Sequence, residues 1–292
     1  MGRLICAIVT ALFFMTCNTD RTINKELGAD DQATPVVTIN PNDQMAGFSL
    51  TVSEGKRLIA KGIANHPLVK QKMESGTIII TRGSTNTYIA EELIGLDVPH
   101  GQFVTGNITP ANSQSEAFGG DKISEIVLVN GKQVEVSFRD VLPTLEEGDI
   151  IFKGGNLLNY EKKQAAVTVG ATDGGTVGRI QPYTSEGPAH LIVPIGLEKE
   201  VYGDLNDYAH ILSTNIKKKN FVPQVIVHKN VEIFTEIEAI KLFGHVNVIP
   251  YASGGLAGSE GGISFAVYGP PDEVEKILQL ISGIQGEKAF VE

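Results

Sequence analysis

The residues best suited to chemistry follow short apolar runs and are small, glycine or charged. The first such segment comes directly after the β-branched run of residues 77–81 and before a helical pattern, and it reads Arg82, Gly83, Ser84, Thr85 and Asn86. Free backbone N–H groups at a helix start bind anions, and Arg82 would add a positive charge. The alternative is a plain N-cap turn, with Ser84 or Thr85 as the cap.

Three more glycine-containing segments follow apolar runs. They contain Gly154, Gly155 and Asn156 after Lys153, then Gly174 and Gly175, and finally Glu198 and Lys199 after residues 191–196. Loops after parallel strands meet at one edge of a sheet, so we expect these segments near residues 82–86. Each also has an ordinary alternative, a tight turn or a surface ion pair.

The candidate roles follow from residue type. The ligand-binding candidates are Arg82, Gly83, Ser84, Thr85, Asn86, Gly154, Gly155, Asn156, Gly174, Gly175 and Lys199. Lys153 would neutralise charge, and Glu198 or Asp149 would transfer a proton, if the protein is an enzyme. The sequence leaves open whether any reaction is catalysed.

The loop of residues 254–262 has the highest glycine density in the chain. It contains no Lys and leads into no helix, so it does not fit a P-loop. It is either a lid over a ligand or a flexible hairpin. Glu236, Glu238 and Glu260 lie near it in sequence without a His at ligand spacing, and both cysteines, Cys6 and Cys17, lie at the N-terminus. We predict neither a metal site nor a cofactor.

Residues 80–86 resemble the phosphate loop of ribose-5-phosphate isomerases. Residues 153–156 resemble the Lys-Gly-Gly-Gly stretch of the same family, and Glu161-Lys162 follows near the position of that family's Glu-Lys pair. The wider superfamily includes sugar-phosphate deaminases and CoA transferases. The resemblance implies an α/β fold and a sugar phosphate or CoA ester as substrate. Arg82 stands where the family has glycine, the Asp-Gly-x-Asp segment has no counterpart, and Glu161 lies in what we interpret as an exposed turn.

The apolar patterns predict an α/β fold with an open, mostly parallel sheet and helices on both faces. Helices are predicted from Ser53, as N-cap, and over residues 87–96, 235–243 and 272–281; buried strands are predicted at 77–81 and 149–153. Asn130-Gly131 between two β-branched runs predicts a hairpin. The β-α-β-β-α-β order after residue 222, with a last strand at 289–291, predicts a smaller ferredoxin-like α+β domain.

The N-terminus predicts export. Arg3 precedes an apolar run of residues 4–17, which has signal-peptide length and is too short to span a bilayer. Cys17 ends this run as in a bacterial lipobox, and a polar segment follows. We therefore expect a signal peptide at 1–17 with Cys17 acylated, a tether at 18–47, an α/β domain at 48–221 and the smaller domain at 222–292. The alternative is a cytoplasmic protein translated from Met45.

Composition narrows the functional classes. The formal net charge of −10 argues against nucleic-acid binding, because phosphate backbones attract clustered Lys and Arg. The expected function is that of an exported, non-catalytic module that binds a small phosphorylated or carboxylated metabolite, either periplasmic, secreted or held at the membrane by a lipid. The alternative is an isomerase-like or transferase-like enzyme. A homo-oligomer is left open.

Overall fold

The architecture is described from a computed structural model, which covers residues 39–95, 97, 99–105 and 121–291. The predicted signal peptide, Cys17 and most of the predicted tether lie outside these residues. Residues Asn40–Glu292 form one compact unit. No helix in the described part of the chain has the length and apolar character needed to cross a membrane.

A mixed six-stranded sheet forms the centre of the molecule. Its strands are β2 (Thr77–Ile80), β3 (Ile126–Val129), β4 (Lys132–Val134), β5 (Ile150–Phe152), β8 (His190–Pro194) and β10 (Val231–Phe234), in the spatial order β10-β8-β5-β2-β3-β4. The strands from β10 to β2 are parallel, whereas β3 and β4 are antiparallel. The α/β class is confirmed, and the sheet is mixed because the Asn130-Gly131 hairpin adds its two antiparallel strands.

Two three-stranded antiparallel sheets accompany the central one. The first has the order β1-β12-β11 and consists of β1 (Gln44–Leu50), β11 (Asn247–Gly254) and β12 (Gly262–Gly269); the second has the order β6-β7-β9 and consists of β6 (Leu157–Asn159), β7 (Gln164–Val169) and β9 (Gln224–Val227). The strands after residue 222 thus belong to three sheets, and a ferredoxin-like subdomain is not confirmed. Residues 289–291 form no strand.

Eight α-helices complete the fold within the described residues. They are α1 (Val52–Asn65), α2 (Pro67–Glu74), α3 (Ser84–Ile94), α4 (Phe138–Val141), α5 (Gly175–Thr184), α6 (Leu205–Ser213), α7 (Glu236–Phe243) and α8 (Pro271–Ser282). Thr51, and not Ser53, is the N-cap of α1, because the capping box with Glu54 starts the helix earlier. The box predicted at Thr235 and Glu238 is present at the start of α7.

Helix α1 packs between α3 and α7. Gly62 allows this close approach: a Cβ there would lie 2.7 Å from that of Ala239 in α7. One continuous core of Ile, Leu, Val and Phe side chains joins the central sheet, these helices and the sheet that contains β1. Strand β1 begins at Gln44, four residues before the predicted start of the domain, because it pairs along its length with β12.

Candidate functional site

The carboxyl ends of the four parallel strands lie along one edge of the central sheet. From β10 to β2, the segments that follow these strands begin at Thr235, Ile195, Lys153 and Thr81. Sequence reasoning placed three of the four segments at this edge. Open parallel sheets bind ligands in the crevice at such an edge.

Two carboxylates face each other on the β8 and β10 side of the edge. The Glu236 Oε1 atom lies 2.9 Å from the place where a Cβ would stand at Gly196, and Glu198 Oε2 lies even closer to that place. Glu236 Oε1 also lies 2.7 Å from the corresponding position at Gly55 in α1. A Cβ at Gly196 would lie against both carboxylates and one at Gly55 against that of Glu236, so the two glycines leave space for these side chains.

Burial raises the pKa of the Glu236 carboxyl group. Its side chain is 3 % exposed, and its Oε2 accepts a hydrogen bond of 3.0 Å from the backbone N–H of Leu197. Loss of water around the carboxylate, and then the charge of Glu198, raise its pKa to about 8 against the lowering effect of the Leu197 N–H. Burial and the neighbouring Glu198 therefore favour the protonated form of Glu236.

Lys56 supplies a buried amine to the same group. It is 7 % exposed, and burial, with the charge of Lys199, lowers its pKa to about 8, while Glu198 and Glu236 act in the opposite direction. Lys199 Nζ forms an ion pair of 3.4 Å with Glu198 Oε1. We call Lys56, Glu198, Lys199 and Glu236 the acid–amine cluster.

The cluster combines groups suited to proton transfer. Buried titratable side chains whose pKa values lie near neutrality, together with an ion pair, are typical of catalytic sites. Sequence reasoning selected Glu198 and Lys199 but missed Lys56, and it considered Glu236 only as a metal ligand. A signal was available for Glu236, which directly follows the helix cap Thr235 at the end of a strand. No comparable signal marked Lys56.

Arg82 lies farther along the edge and already has a partner. Its Nε donates to Glu125 Oε1 at 3.3 Å, just before β3, whereas Glu91 and Glu92 bind Arg57. Gly83 is the N-cap of α3, with no side-chain cap. The first three residues of α3 are Ser84, Thr85 and Asn86. Their backbone N–H groups donate no hydrogen bond to any described residue.

Asn86 has a structural contact. Its Nδ2 donates to the carbonyl oxygens of Thr81 at 2.7 Å and Phe152 at 3.2 Å, which fastens the start of α3 to the neighbouring strand end. Its Oδ1 is buried without a hydrogen-bond partner in the described part of the chain.

Lys153 stands between Arg82 and the acid–amine cluster in the order of the strands. Its Nζ donates to the Gly154 carbonyl at 3.0 Å. Burial lowers the pKa of this amine to about 8, against the effect of Glu125. His228 lies beside it: burial, and then the charge of Lys153, lower the His228 pKa to about 3, so this imidazole is neutral.

The other candidates serve mainly to build the loops. Gly155 packs against the Ala166 carbonyl, and Asn156 Nδ2 donates to Thr168 Oγ1 at 2.7 Å. Gly174 is the N-cap of α5 and Gly175 is its first residue, with φ values of +77° and +56°.

Asp149 lies at the amino end of β5, opposite to Lys153. Its Oδ1 accepts from Lys72 Nζ at 3.2 Å and from the Thr77 N–H at 2.9 Å. The two residues cannot act together, because strand β5 separates them. Glu161 is exposed, as expected.

Comparisons with protein-family models, curated proteins and solved structures find no match to this chain. Function is therefore inferred from the geometry of the sheet edge. Within the residues that the structure describes, no group of three or more His, Cys, Asp or Glu side chains could hold a metal ion. The chemistry available at the edge is that of carboxylates, amines and backbone N–H groups.

Proposed function

We propose that the protein binds a small anionic metabolite at the carboxyl edge of its central sheet and catalyses proton transfer to and from this metabolite. The observation that carries this proposal is the acid–amine cluster, in which Glu198 and Glu236 meet over Gly196 beside buried Lys56. The protonated Glu236 would donate and the ion-paired Glu198 would accept, which is the arrangement that acid–base catalysis requires. Lys56 and Lys199 would attract the anionic group of the ligand.

The first experiment identifies the ligand. A thermal-shift screen of sugar phosphates, nucleotides, CoA esters and small carboxylates would reveal compounds that stabilise the folded protein. The compounds that bind would then be incubated with the protein in D₂O, and deuterium incorporation would be followed by NMR. Exchange of a carbon-bound hydrogen would support proton transfer.

Variants separate catalysis from binding. Glu236→Gln should abolish exchange while largely keeping ligand stabilisation, because the amide keeps the shape of the acid but cannot act as a general acid. Glu161→Gln is the matched control, because Glu161 is exposed and yet lies near the position of the Glu-Lys pair in the isomerase resemblance. Equal exchange in wild type and Glu236→Gln would contradict the proposal.

A non-catalytic anion site is the second candidate function. It is favoured by the free N–H groups at the start of α3, flanked by Arg82 and Lys153. Charge-assisted contacts contribute about 1.5–3 kcal/mol each, so Arg82→Ala should weaken anion binding by about ten- to a hundredfold. Arg179→Ala, which removes a partly exposed arginine paired with Asp173 at 2.8 Å, is the control. No effect of Arg82→Ala on the affinity of an anion would sink this candidate.

We also propose that residues 1–17 direct export and that Cys17 is acylated, on the basis of the apolar run and the polar segment that follows it. Mass spectrometry of the protein from a bacterial host would give the mature N-terminus. An intact, unmodified N-terminus in the cytosol would contradict this and favour translation from Met45.

A further inference from the structure

A second concave site lies next to the glycine-rich loop, on the sheet that contains β1. This cleft has a volume of about 510 Å³ and is bounded by the end of β1, the start of α1, the β11–β12 hairpin and Gln285. Small-molecule sites have volumes of about 300–1,000 Å³, so the cleft can hold a compound of metabolite size.

Five of the residues that line the cleft carry hydroxyl groups. They are Ser49, Thr51, Ser253, Ser259 and Ser264. The Ser49 and Ser264 hydroxyls bind each other at 2.7 Å, while those of Ser253 and Ser259 make no hydrogen bond to any other described residue. The cleft thus offers several groups that both donate and accept.

The charge of the cleft disfavours an anion. Its one ionisable lining residue is Glu54, and no Lys, Arg or His is among the described residues that line it. Both Glu54 oxygens are already bonded, since Oε2 accepts from the Thr51 N–H at 2.7 Å and Oε1 from the Gly286 N–H at 2.8 Å. A phosphate or carboxylate would meet a fixed negative charge without a positive partner, whereas an uncharged ligand would not.

The cleft and the acid–amine cluster share one wall. Gly262 lines the cleft, and a Cβ at its neighbour Gly261 would lie 3.9 Å from the Cβ of Glu198. The two sites therefore lie near each other but differ in chemistry, one being hydroxyl-rich and the other charged.

We propose that this cleft binds a neutral polyhydroxylated compound of the size of a hexose. The ligand hydroxyls would exchange water for the serine hydroxyls, the Gln285 amide and the backbone of Gly254 and Gly255. This inference is independent of proton transfer at the acid–amine cluster.

The test is titration calorimetry with D-glucose and myo-inositol as neutral probes and glucose 6-phosphate as the charged counterpart. Ala252→Phe fills the cleft from an exposed position on β11 without removing a polar group, and Ser259→Phe fills it from the loop. Ala171→Phe, at an exposed loop position on another part of the surface, is the control. Cooperative urea unfolding of each variant would establish that it is folded.

We expect a neutral probe to bind at millimolar concentration and both filling variants to weaken it by at least about tenfold, with Ala171→Phe unchanged. Failure of both neutral probes to bind overturns the proposal, and so does equal binding to wild type and filled variants. If glucose 6-phosphate binds more tightly than the neutral probes and this binding is lost in the filling variants, the proposal that the ligand is neutral is wrong. Glu236→Gln should leave the affinity for the neutral probes unchanged. Failure of the cleft proposal and failure of the proposed catalysis can therefore be told apart.

Discussion

Replacing Glu236 by Gln should make the protein more stable at alkaline pH although it removes the proposed acid. The wild-type side chain is 3 % exposed and lies against Glu198, so its ionised form is poorly solvated and repelled. An amide has the same shape and can accept from the Leu197 N–H with its oxygen. Its NH₂ group can point towards Glu198.

The sign and magnitude of this change in stability follow from the linkage between proton binding and folding. In the unfolded chain Glu236 loses its proton near its ordinary pKa of 4.5, whereas burial and Glu198 keep it protonated in the fold up to about pH 8. Between these values the unfolded state binds fewer protons, so the stability of wild type falls as pH rises. Each pH unit in this interval lowers the stability of wild type by about 1.4 kcal/mol, so the total loss is at most about 5 kcal/mol. Relaxation of the site and entry of water reduce this loss, and we expect Glu236→Gln to be more stable than wild type by about 2–3 kcal/mol at pH 8.

Urea unfolding at pH 5 and pH 8 measures this difference. Wild type and Glu236→Gln should have nearly the same free energy of unfolding at pH 5 and diverge at pH 8, with the variant more stable. Glu232→Gln is a control of opposite sign, because hydrogen bonds from His190 and His66 lower the Glu232 pKa to about 2. That carboxylate stabilises the fold above its unfolded pKa, so its loss should destabilise the protein at pH 8. If Glu236→Gln is equally or less stable than wild type at pH 8, the reasoning about a buried, protonated Glu236 is wrong.

Three further predictions concern the scaffold. Arg57→Ala should lower the free energy of unfolding by about 2–4 kcal/mol in urea titrations. The substitution leaves three partly buried carboxylates, which lie 2.6–3.0 Å from the guanidinium, without their partner. A loss below about 1 kcal/mol would show that these pairs contribute no more than exposed ion pairs do. Gly62→Val should cost about 1–3 kcal/mol by forcing α1 away from α7, and an unchanged urea midpoint would refute the close contact. A chain that begins at Asn40 should retain the urea midpoint of the full-length protein, because residues 40–292 form their own compact unit; a large drop would show that the N-terminal segment stabilises the fold.

Local signals in the sequence were sufficient for several elements. Asn130 and Gly131 have φ values of 51° and 74°, which Asn and Gly adopt readily in a tight turn, and the hairpin forms there. The Thr235 capping box likewise starts α7 at the predicted residue. In both cases the interactions that determine the structure lie within a few residues of each other, so one stretch of sequence contains them.

Elements that depend on distant partners were missed or shifted. Strand β1 starts at Gln44 because it pairs with Gly269, more than two hundred residues away, and no local pattern encodes that partner. The same applies to the strands after residue 222, whose alternating pattern predicted strands but not the three sheets that they join. Lys56 could not be found from the sequence, because its burial arises only when α1 lies across the sheet edge beside Glu198 and Glu236.

The acid–amine cluster costs the fold stability, which is the strongest argument that it serves a function. A buried carboxyl beside a second carboxylate and a buried amine both oppose folding near neutral pH, whereas apolar side chains of similar volume would stabilise the same position. Gly55 leaves space beside the Glu236 carboxylate and Gly196 leaves space beside both carboxylates, so the backbone accommodates them from two separate elements. A structural ion pair would need neither the second carboxylate nor these glycines. Natural proteins accept such local losses mainly at sites where the strained or desolvated group is used.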